Sequence, residues 1–418
     1  MDGQLGGGAV PVRRTAVRRG ATALDRRLAT ALQRTIEAVR VGVELWDGSS
    51  AYAAAAPPVG HLVFHDRLAL LAVIVNPDLY FGEMYMAGRL DVRGGLIPVV
   101  EALSRSVSPE VSWKQRLRAA MALPTTRSRA RRNVHHHYDL GNDFYRLWLD
   151  DDLAYTCAYF ADPSMSLEAA QRAKFDLVCR KLRIQPNDTV VEAGCGWGAL
   201  ALYAARHYGA RVRAFNVSRE QLAFARDRAR REGLADRVEF VDDDYRNIDG
   251  EYDVFLSVGM LEHVGRRQFP ELAAVIRRTL KRRAGRGLLH FIGRDAPRPL
   301  NPWIRRRIFP GGYPPALAEV AAHILRPAQV SILDVENLRA HYARTLDEWQ
   351  RRFDAHADVV RAKYGDAFKR AWELYLAGSQ AAFTTGWMQL FQVVFTPCES
   401  TPPSWTRRDP HEVPGAPA

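Results

Sequence analysis

The sequence predicts an α/β protein: a mostly parallel, doubly wound sheet with a smaller N-terminal α+β domain ahead of it. Three observations lead there. A chain of 418 residues exceeds a comfortable single domain and is long enough to bury two cores. From 189 to 294, apolar β-branched runs alternate with helical patterns, the order that lays strands in parallel with helices on both faces. The run at 189–197, TVVEAGCGW, ends a strand at Glu192 and turns through Gly194, Cys195 and Gly196 into the helical pattern GALALYAARHYG. Such sheets collect their ligands at the C-terminal ends of the strands.

Residues 1–20 are Gly-rich and basic and read as a disordered arm. The smaller domain is expected over 21–110. Leu24, Leu28, Leu32, Ile36 and Val39 recur at helical spacing with Arg26, Arg27, Arg34 and Arg40 around them. A domain helix with a solvated basic face and a membrane-surface helix both satisfy that pattern. The following HLVFHDRLALLAVIVNPDLYFGEMYMAGRLDV reads as β-rich runs separated by turns. Residues 111–134, with Arg127, Arg129, Arg131 and Arg132 behind Pro124, read as a basic linker.

With 59 Lys and Arg against 47 Asp and Glu, the net charge is +12. An anionic partner follows: nucleic acid, acidic phospholipid or an acidic carrier protein, unless a GC-rich genome alone has raised the arginine count. Cys157, Cys179, Cys195 and Cys398 form no C-x-x-C pair, so a reduced, cytoplasmic protein is expected. No uninterrupted apolar run reaches about 20 residues, so a membrane would be visited only at its surface. His135, His136 and His137 are adjacent and point in different directions, and no metal site is expected.

At the glycine turn, Gly194 and Gly196 let the backbone approach a ligand, and the helix that follows aims its N-terminal amides at the same point. A dinucleotide-binding turn would share these features. The second strand, RVRAFNV, nonetheless ends at Asn216, where an NAD site usually has Asp or Glu for the ribose. The third, VEFVDDD, closes with Asp242, Asp243, Asp244 and Tyr245, a cluster suited to adenine. S-adenosylmethionine (SAM) is therefore favoured over NAD. A fourth strand leads to Glu262 and His263, and a fifth, GRGLLHFIGR, carries His290. The excursion PRPLNPWIRRRIFPGGYPPAL reads as a lid or substrate wall, two helical segments follow, and MQLFQVVF reads as a strand for the sheet edge. The catalytic domain is expected over 135–398, and 399–418 as a disordered, proline-rich tail.

In order from His137 to Phe395, HYDLGNDFY, AYTCAYF, EAGCGWG, SVGMLEHVG, HFIGR, LNPWIRRRIFPGGY, DVENLRAHYARTLDEW and QLFQVVF resemble the cyclopropane-fatty-acyl-phospholipid synthases and the mycolic-acid cyclopropane synthases. FGEMYMAGRLDV resembles the N-terminal domain of the longer, phospholipid-acting members. The resemblance implies a class I SAM-dependent methyltransferase fold, Rossmann-like, and addition of a methylene from SAM across a cis double bond of an unsaturated phospholipid acyl chain. It also implies a cytoplasmic enzyme peripherally associated with an anionic membrane surface, with a homodimer as the expected assembly. A relative that ends the reaction in methyl or methylene branching is the alternative. Nucleic acid is not an expected partner, because an N-P-P-Y or D-P-P-Y motif is replaced by SVGMLEHVG.

An alkene is a poor nucleophile, so the reacting carbon must be held against it in a water-poor cavity, and a base must take the proton whose loss closes the ring. In the family that base is understood to be a bound bicarbonate. The resemblance carries its holders onto Cys157, Glu262, His290 and Tyr342, with a backbone contact from Ile292. For SAM it carries over Tyr155, Thr156, Gly194, Gly196 and Trp197, with Glu192 at the strand end. Asn216, Ser218 and Gln221 fall near the ribose, and Asp244 and Tyr245 near the adenine.

Overall fold

The computed structural model describes residues 20–52, 56–106 and 140–400. The expected linker, the three adjacent histidines, and all but the ends of the expected arm and tail lie outside these residues. Contacts divide the chain after Ser106 into two units.

The first unit carries α1 (Ala23–Thr35), β1 (Val41–Glu44), β2 (Ser50–Ala51), β3 (Gly60–Phe64), α2 (Arg67–Val75), α3 (Pro77–Met86), β4 (Leu90–Arg93) and α4 (Leu96–Ser106). Its sheet runs β2-β1-β3-β4, with β1 and β3 parallel and the outer pairs antiparallel. Thr22 and Asp25 close a capping box on α1, and Arg67 Nε and Nη2 each donate to the buried Asp25 carboxylate at 2.7 Å. Leu28, Leu32, Ile36 and Val39 pack on the core of Val41, Val43, Leu62 and Phe64. The helix at 23–35 is thus a domain helix with its arginines outward.

The reading of 61–92 as mostly β-rich is corrected. RLALLAVIV and PDLYFGEMYM are helices, because Asp66 Oδ1 accepts the Ala69 N–H at 3.0 Å and Asn76 Oδ1 accepts the Leu79 N–H at 3.3 Å. Pro77 opens the second helix at a position where no N–H is needed. A short apolar run does not by itself separate a buried strand from a helix, and the caps decide here.

The second unit begins with α5 (Asn142–Arg146) and α6 (Leu167–Lys181). Then come β5 (Thr189–Ala193), α7 (Ala199–Tyr208), β6 (Arg211–Asn216), α8 (Arg219–Arg231), β7 (Val238–Asp242), β8 (Val254–Val258), α9 (Leu261–Val264), α10 (Phe269–Thr279) and β9 (Arg286–Gly293). After α11 (Pro302–Arg307) and α12 (Leu317–Val320) follow β10 (Val330–Asn337), α13 (Arg339–Ala355), α14 (Ala357–Tyr364), α15 (Asp366–Thr384) and β11 (Gln389–Pro397). The seven strands lie in the order β10-β11-β9-β8-β5-β6-β7. Strands β5 to β9 pair in parallel, and β11 runs antiparallel between β9 and β10. Apolar clusters cover both faces, one built with α6, α7 and α8 and the other with α10 and 320–328.

This is the class I methyltransferase architecture. The chain leaves β5 toward β6 and β7 and returns to place β8 on the other side of β5, so a crevice opens at the C-terminal end of β5. One element sits differently from expectation. MQLFQVVF is not an edge strand: all nine residues of β11 are buried, and β10 takes the edge. A strand covered on both faces reads as a continuous apolar run wherever it lies in a sheet, and VSILDVEN, half exposed, gives the weaker signal.

Candidate active site

The crevice is a cleft enclosing about 1110 Å³ of empty space, part of it open to solvent. Its floor is the glycine turn. Gly194, Gly196 and Gly198 have φ of +86°, +53° and +82°, values that favour glycine. A Cβ on Gly194 would come within 2.8 Å of Met260, and one on Gly198 within 2.6 Å of Phe240, so side chains there are excluded twice over. Gly196 faces open space, leaving bare backbone toward a ligand.

Glu192, Trp197, Asn216, Gln221, Asp244, Tyr245, Tyr155 and Thr156 line the cleft. Asn216 secures the turn, donating from Nδ2 to Gly196 O at 3.1 Å and to Gln221 Oε1 at 2.8 Å. Ser218 is buried outside the lining. Its hydroxyl caps α8 at the Gln221 N–H and so starts that helix.

Residues 153–156 also line the cleft, and the loop 154–158 to which they lead is tied to two helices. From α6, Gln171 Nε2 donates to Ala154 O and Thr156 O at 3.1 and 2.9 Å, and Lys174 Nζ donates to Thr156 Oγ1 at 2.8 Å. From α13, Thr345 Oγ1 accepts the Ala158 N–H at 3.0 Å. Tyr155 is fixed by its hydroxyl, 2.6 Å from that of Tyr375. An aromatic chain runs on from the turn, with centroids 5.0 Å apart for Trp197 and Tyr145, 5.6 Å for Tyr145 and Tyr155, and 5.3 Å for Tyr155 and Trp349. Tyr342 continues it at 5.9 Å from Trp349. Faces of such rings favour a cationic centre.

Cys157, Glu262, His290 and Tyr342 are not among the residues that line the cleft, and short links join the segments that carry them. Cys157 Sγ lies 3.9 Å from Leu338 O, the same carbonyl that accepts the Tyr342 N–H at 3.1 Å. Leu338 N–H donates to Leu390 O at 2.8 Å, and Leu390 pairs with Ile292 across β11 and β9. Glu262 Oε1 accepts the Ile292 N–H, and the His290 carbonyl accepts the Gly259 N–H at 2.9 Å. The Ile292 N–H thus anchors the Glu262 carboxylate to β9.

Burial dominates the electrostatics. It pushes the Glu262 and Glu192 carboxyls up to about 7, pushes the Cys157 thiol up, and holds His290 well below its ordinary value, so the imidazole is neutral. Glu262 Oε2, His290 Nε2 and Glu192 Oε2 are buried with no hydrogen-bond partner. Unpaired buried polar atoms are costly unless a ligand completes them, and a carboxylate oxygen and a ring nitrogen suit a small anion or an amino-acid moiety. The residues present thus fit both groups. Among the described residues no His, Cys, Asp and Glu cluster could hold a metal.

Lys174 was not anticipated. Its ammonium is buried in the cleft wall, where desolvation holds it down to about 8 against the pull of Asp150, Cys157 and Glu192. The spacing of Gln171 and Lys174, three residues apart on one helix face, was the available signal, masked by the ordinary look of a solvated EAAQRAKFDL helix. His263 also lines the cleft, held down to about 4 by burial.

Comparison with known proteins decides the family: the one described as mycolic acid cyclopropane synthetase matches residues 125–393. The chain belongs to it. Residues 28–112 match a family described as a domain of unknown function. A probable fatty acid methyltransferase from Pseudomonas putida is 36% identical over 367 residues, covering 84% of this chain and 90% of the relative. The cyclopropane-fatty-acyl-phospholipid synthase of Escherichia coli K12 is 37% identical, covering 78% and 84%. The tuberculostearic acid methyltransferase of Mycobacterium tuberculosis is 35% identical, covering 86% and 88%.

Among solved structures, the cyclopropane synthase MmaA2 of M. tuberculosis aligns at a TM-score of 0.60 and 30% identity, covering 63% of this chain and 97% of its own. The mycolic acid cyclopropane synthase CmaA1 complexed with SAH and CTAB gives 0.60 at 29%, covering 63% and 97%. The chain is therefore a SAM-dependent methyltransferase of the cyclopropane synthetase family.

Proposed function

We propose that the protein transfers a one-carbon unit from SAM to a cis double bond of an unsaturated phospholipid acyl chain and closes a cyclopropane ring, with bound bicarbonate as the base. The observation that carries this reading is that Glu262 Oε2 and His290 Nε2 are both buried without a hydrogen-bond partner. SAM supplies an electrophilic methyl group on a sulfonium. Glu192 and Lys174 offer charges of both signs to its amino-acid end, and Asp244 and Tyr245 line the position for adenine. Tyr155, Trp349 and Tyr342 exclude water and present ring faces to positive charge.

Bicarbonate would be held by Cys157, Glu262, His290 and Tyr342 and would supply the base for ring closure. In its ionised form Glu262 can take the hydroxyl proton of the anion, raising basicity at the far oxygen. The neutral His290 has one ring nitrogen left to meet the anion.

The lipid surface would be met by the first unit. Leu68, Leu71, Ile74 and Val75 line one exposed face of α2, with Leu68 and Val75 at 64% and 78% exposure. The adjacent α1 turns Arg27 and Arg34 to solvent. Apolar contact beside arginine suits the surface of an anionic bilayer. No described helix is long and apolar enough to cross one.

The test is incubation with SAM, bicarbonate and vesicles of cis-unsaturated phospholipid, followed by mass analysis of the released fatty acids. A product one methylene heavier and lacking the alkene supports the proposal. Methyl or methylene branching is the second reading, favoured by the 36% and 35% identity to proteins named as fatty acid and tuberculostearic acid methyltransferases. A heavier product that retains an alkene, or carries a saturated methyl branch, would select it.

A further inference from the structure

Three residues stand directly opposite one another across three neighbouring strands: His290 on β9, Gln392 on β11 and Glu336 on β10. The middle one is wholly buried. Gln392 Nε2 lies 3.1 Å from His290 Nδ1, and Gln392 Oε1 lies 2.7 Å from Lys181 Nζ, which arrives from the last turn of α6. Lys181 also pairs with the Glu336 carboxylate.

We propose that Lys181, Glu336 and Gln392 form a positioning relay that holds His290 as the tautomer with its proton on Nε2, offered to the anion that Glu262 and His290 would bind. Hydrogen-bond inventory forces each link. A lysine ammonium has only donors, so it must face the amide oxygen of Gln392 and cannot face its nitrogen. The amide is thereby oriented, with its NH₂ toward His290. A nitrogen that receives an N–H must be the unprotonated one, so Nδ1 accepts and the ring proton sits on Nε2. That Nε2 is the atom left buried with no protein partner.

Glu336 plays the remaining part. Lys181 is almost fully buried, and the Glu336 carboxylate that faces it fixes the position of its amine end. The rigid cross-strand register sets the spacing of all three residues without loops. None of the three touches the cleft lining, so all act through His290.

The inference rests on the reading of this site as a bicarbonate pocket, and the test separates the two. In uniformly ¹⁵N-labelled full-length protein, long-range ¹H–¹⁵N correlation of the His290 ring reports the tautomer, with assignment by the His290→Asn variant. The expected spectrum has Nδ1 in the unprotonated range and Nε2 in the protonated range. A protonated Nδ1 with a bare Nε2 overturns the relay outright.

Gln392→Leu removes the acceptor-fixing amide while leaving Lys181 its carboxylate. It is expected to mix the tautomers and to raise the bicarbonate concentration needed for half-maximal turnover about tenfold or more, with saturating bicarbonate restoring kcat. The KM for SAM should stay within about twofold, because the relay does not reach the cleft. An unchanged tautomer and an unchanged bicarbonate requirement would overturn the relay. Lys181→Met should have the same effect on the ring, which keeps the test open if Gln392→Leu does not fold. If the wild type has the Nε2–H tautomer, the variants lose it, and turnover never depends on bicarbonate, the relay stands and the bicarbonate reading is what falls.

Discussion

Glu262 accepts the backbone N–H of Ile292 through Oε1, while its Oε2 remains buried without a partner. One oxygen is anchored to β9 and the other is free for chemistry. Glu262→Gln keeps the size and removes the proton acceptor, so kcat should fall about a hundredfold or more, with SAH affinity within about twofold of wild type by calorimetry. Because burial pushes this carboxyl up to about 7 and the ionised form is the active one, kcat should rise with pH through about 7. That limb should vanish in the variant, and an identical pH profile in both proteins would remove Glu262 from the chemistry.

Stability should carry a related signature. Burial raises Glu192 from 4.5 to about 7, and Glu262 shifts the same way. For an acid whose folded value is raised, the neutral form's contribution is complete below the unfolded value and is lost as pH rises through the folded one. Tm should therefore decline between pH 5 and 7.5. Glu192→Gln should flatten the decline, and SAH, whose ammonium can pair with the ionised carboxylate, should reduce it in the wild type; a slope unaffected by either would contradict the assignment.

Tyr375 supports the cleft from a distance through its 2.6 Å contact with the Tyr155 hydroxyl. Tyr375→Phe loses that hydrogen bond and keeps the ring packed against Phe309 and Trp372. The cost in stability should be about 1 kcal/mol, and the KM for SAM should rise a few-fold as Tyr155 loosens. Steady-state kinetics with a melting curve separates the two effects.

The exposed face of α2 gives a membrane prediction. Leu68→Ser with Val75→Ser should weaken sedimentation with anionic vesicles while leaving Tm nearly unchanged, since both side chains are already in water. Added salt should weaken wild-type binding further by screening the arginines. Binding indifferent to both changes would place the lipid contact elsewhere.

Much of the molecule was legible before any coordinates. The strand-turn-helix at 189–208 could be read because glycines at positive φ and a β-branched run are local signals, set by neighbours in sequence. The same locality failed at 67–86, where an apolar composition common to strands and helices was settled by the capping side chains of Asp66 and Asn76. It failed again at β11, since position within a sheet depends on which strands arrive on either side.

The sequence by itself determined the alternation that makes the doubly wound sheet, the glycine floor of the cleft and the motifs that mark the family. Only the tertiary structure decided that Lys174 lies in the cleft wall, that the Ile292 N–H serves Glu262, and that Lys181, Glu336 and Gln392 converge on His290. The reason is physical. A hydrogen bond between residues 211 positions apart, as for Lys181 and Gln392, is created by strand register and helix packing, which no local pattern of residues encodes.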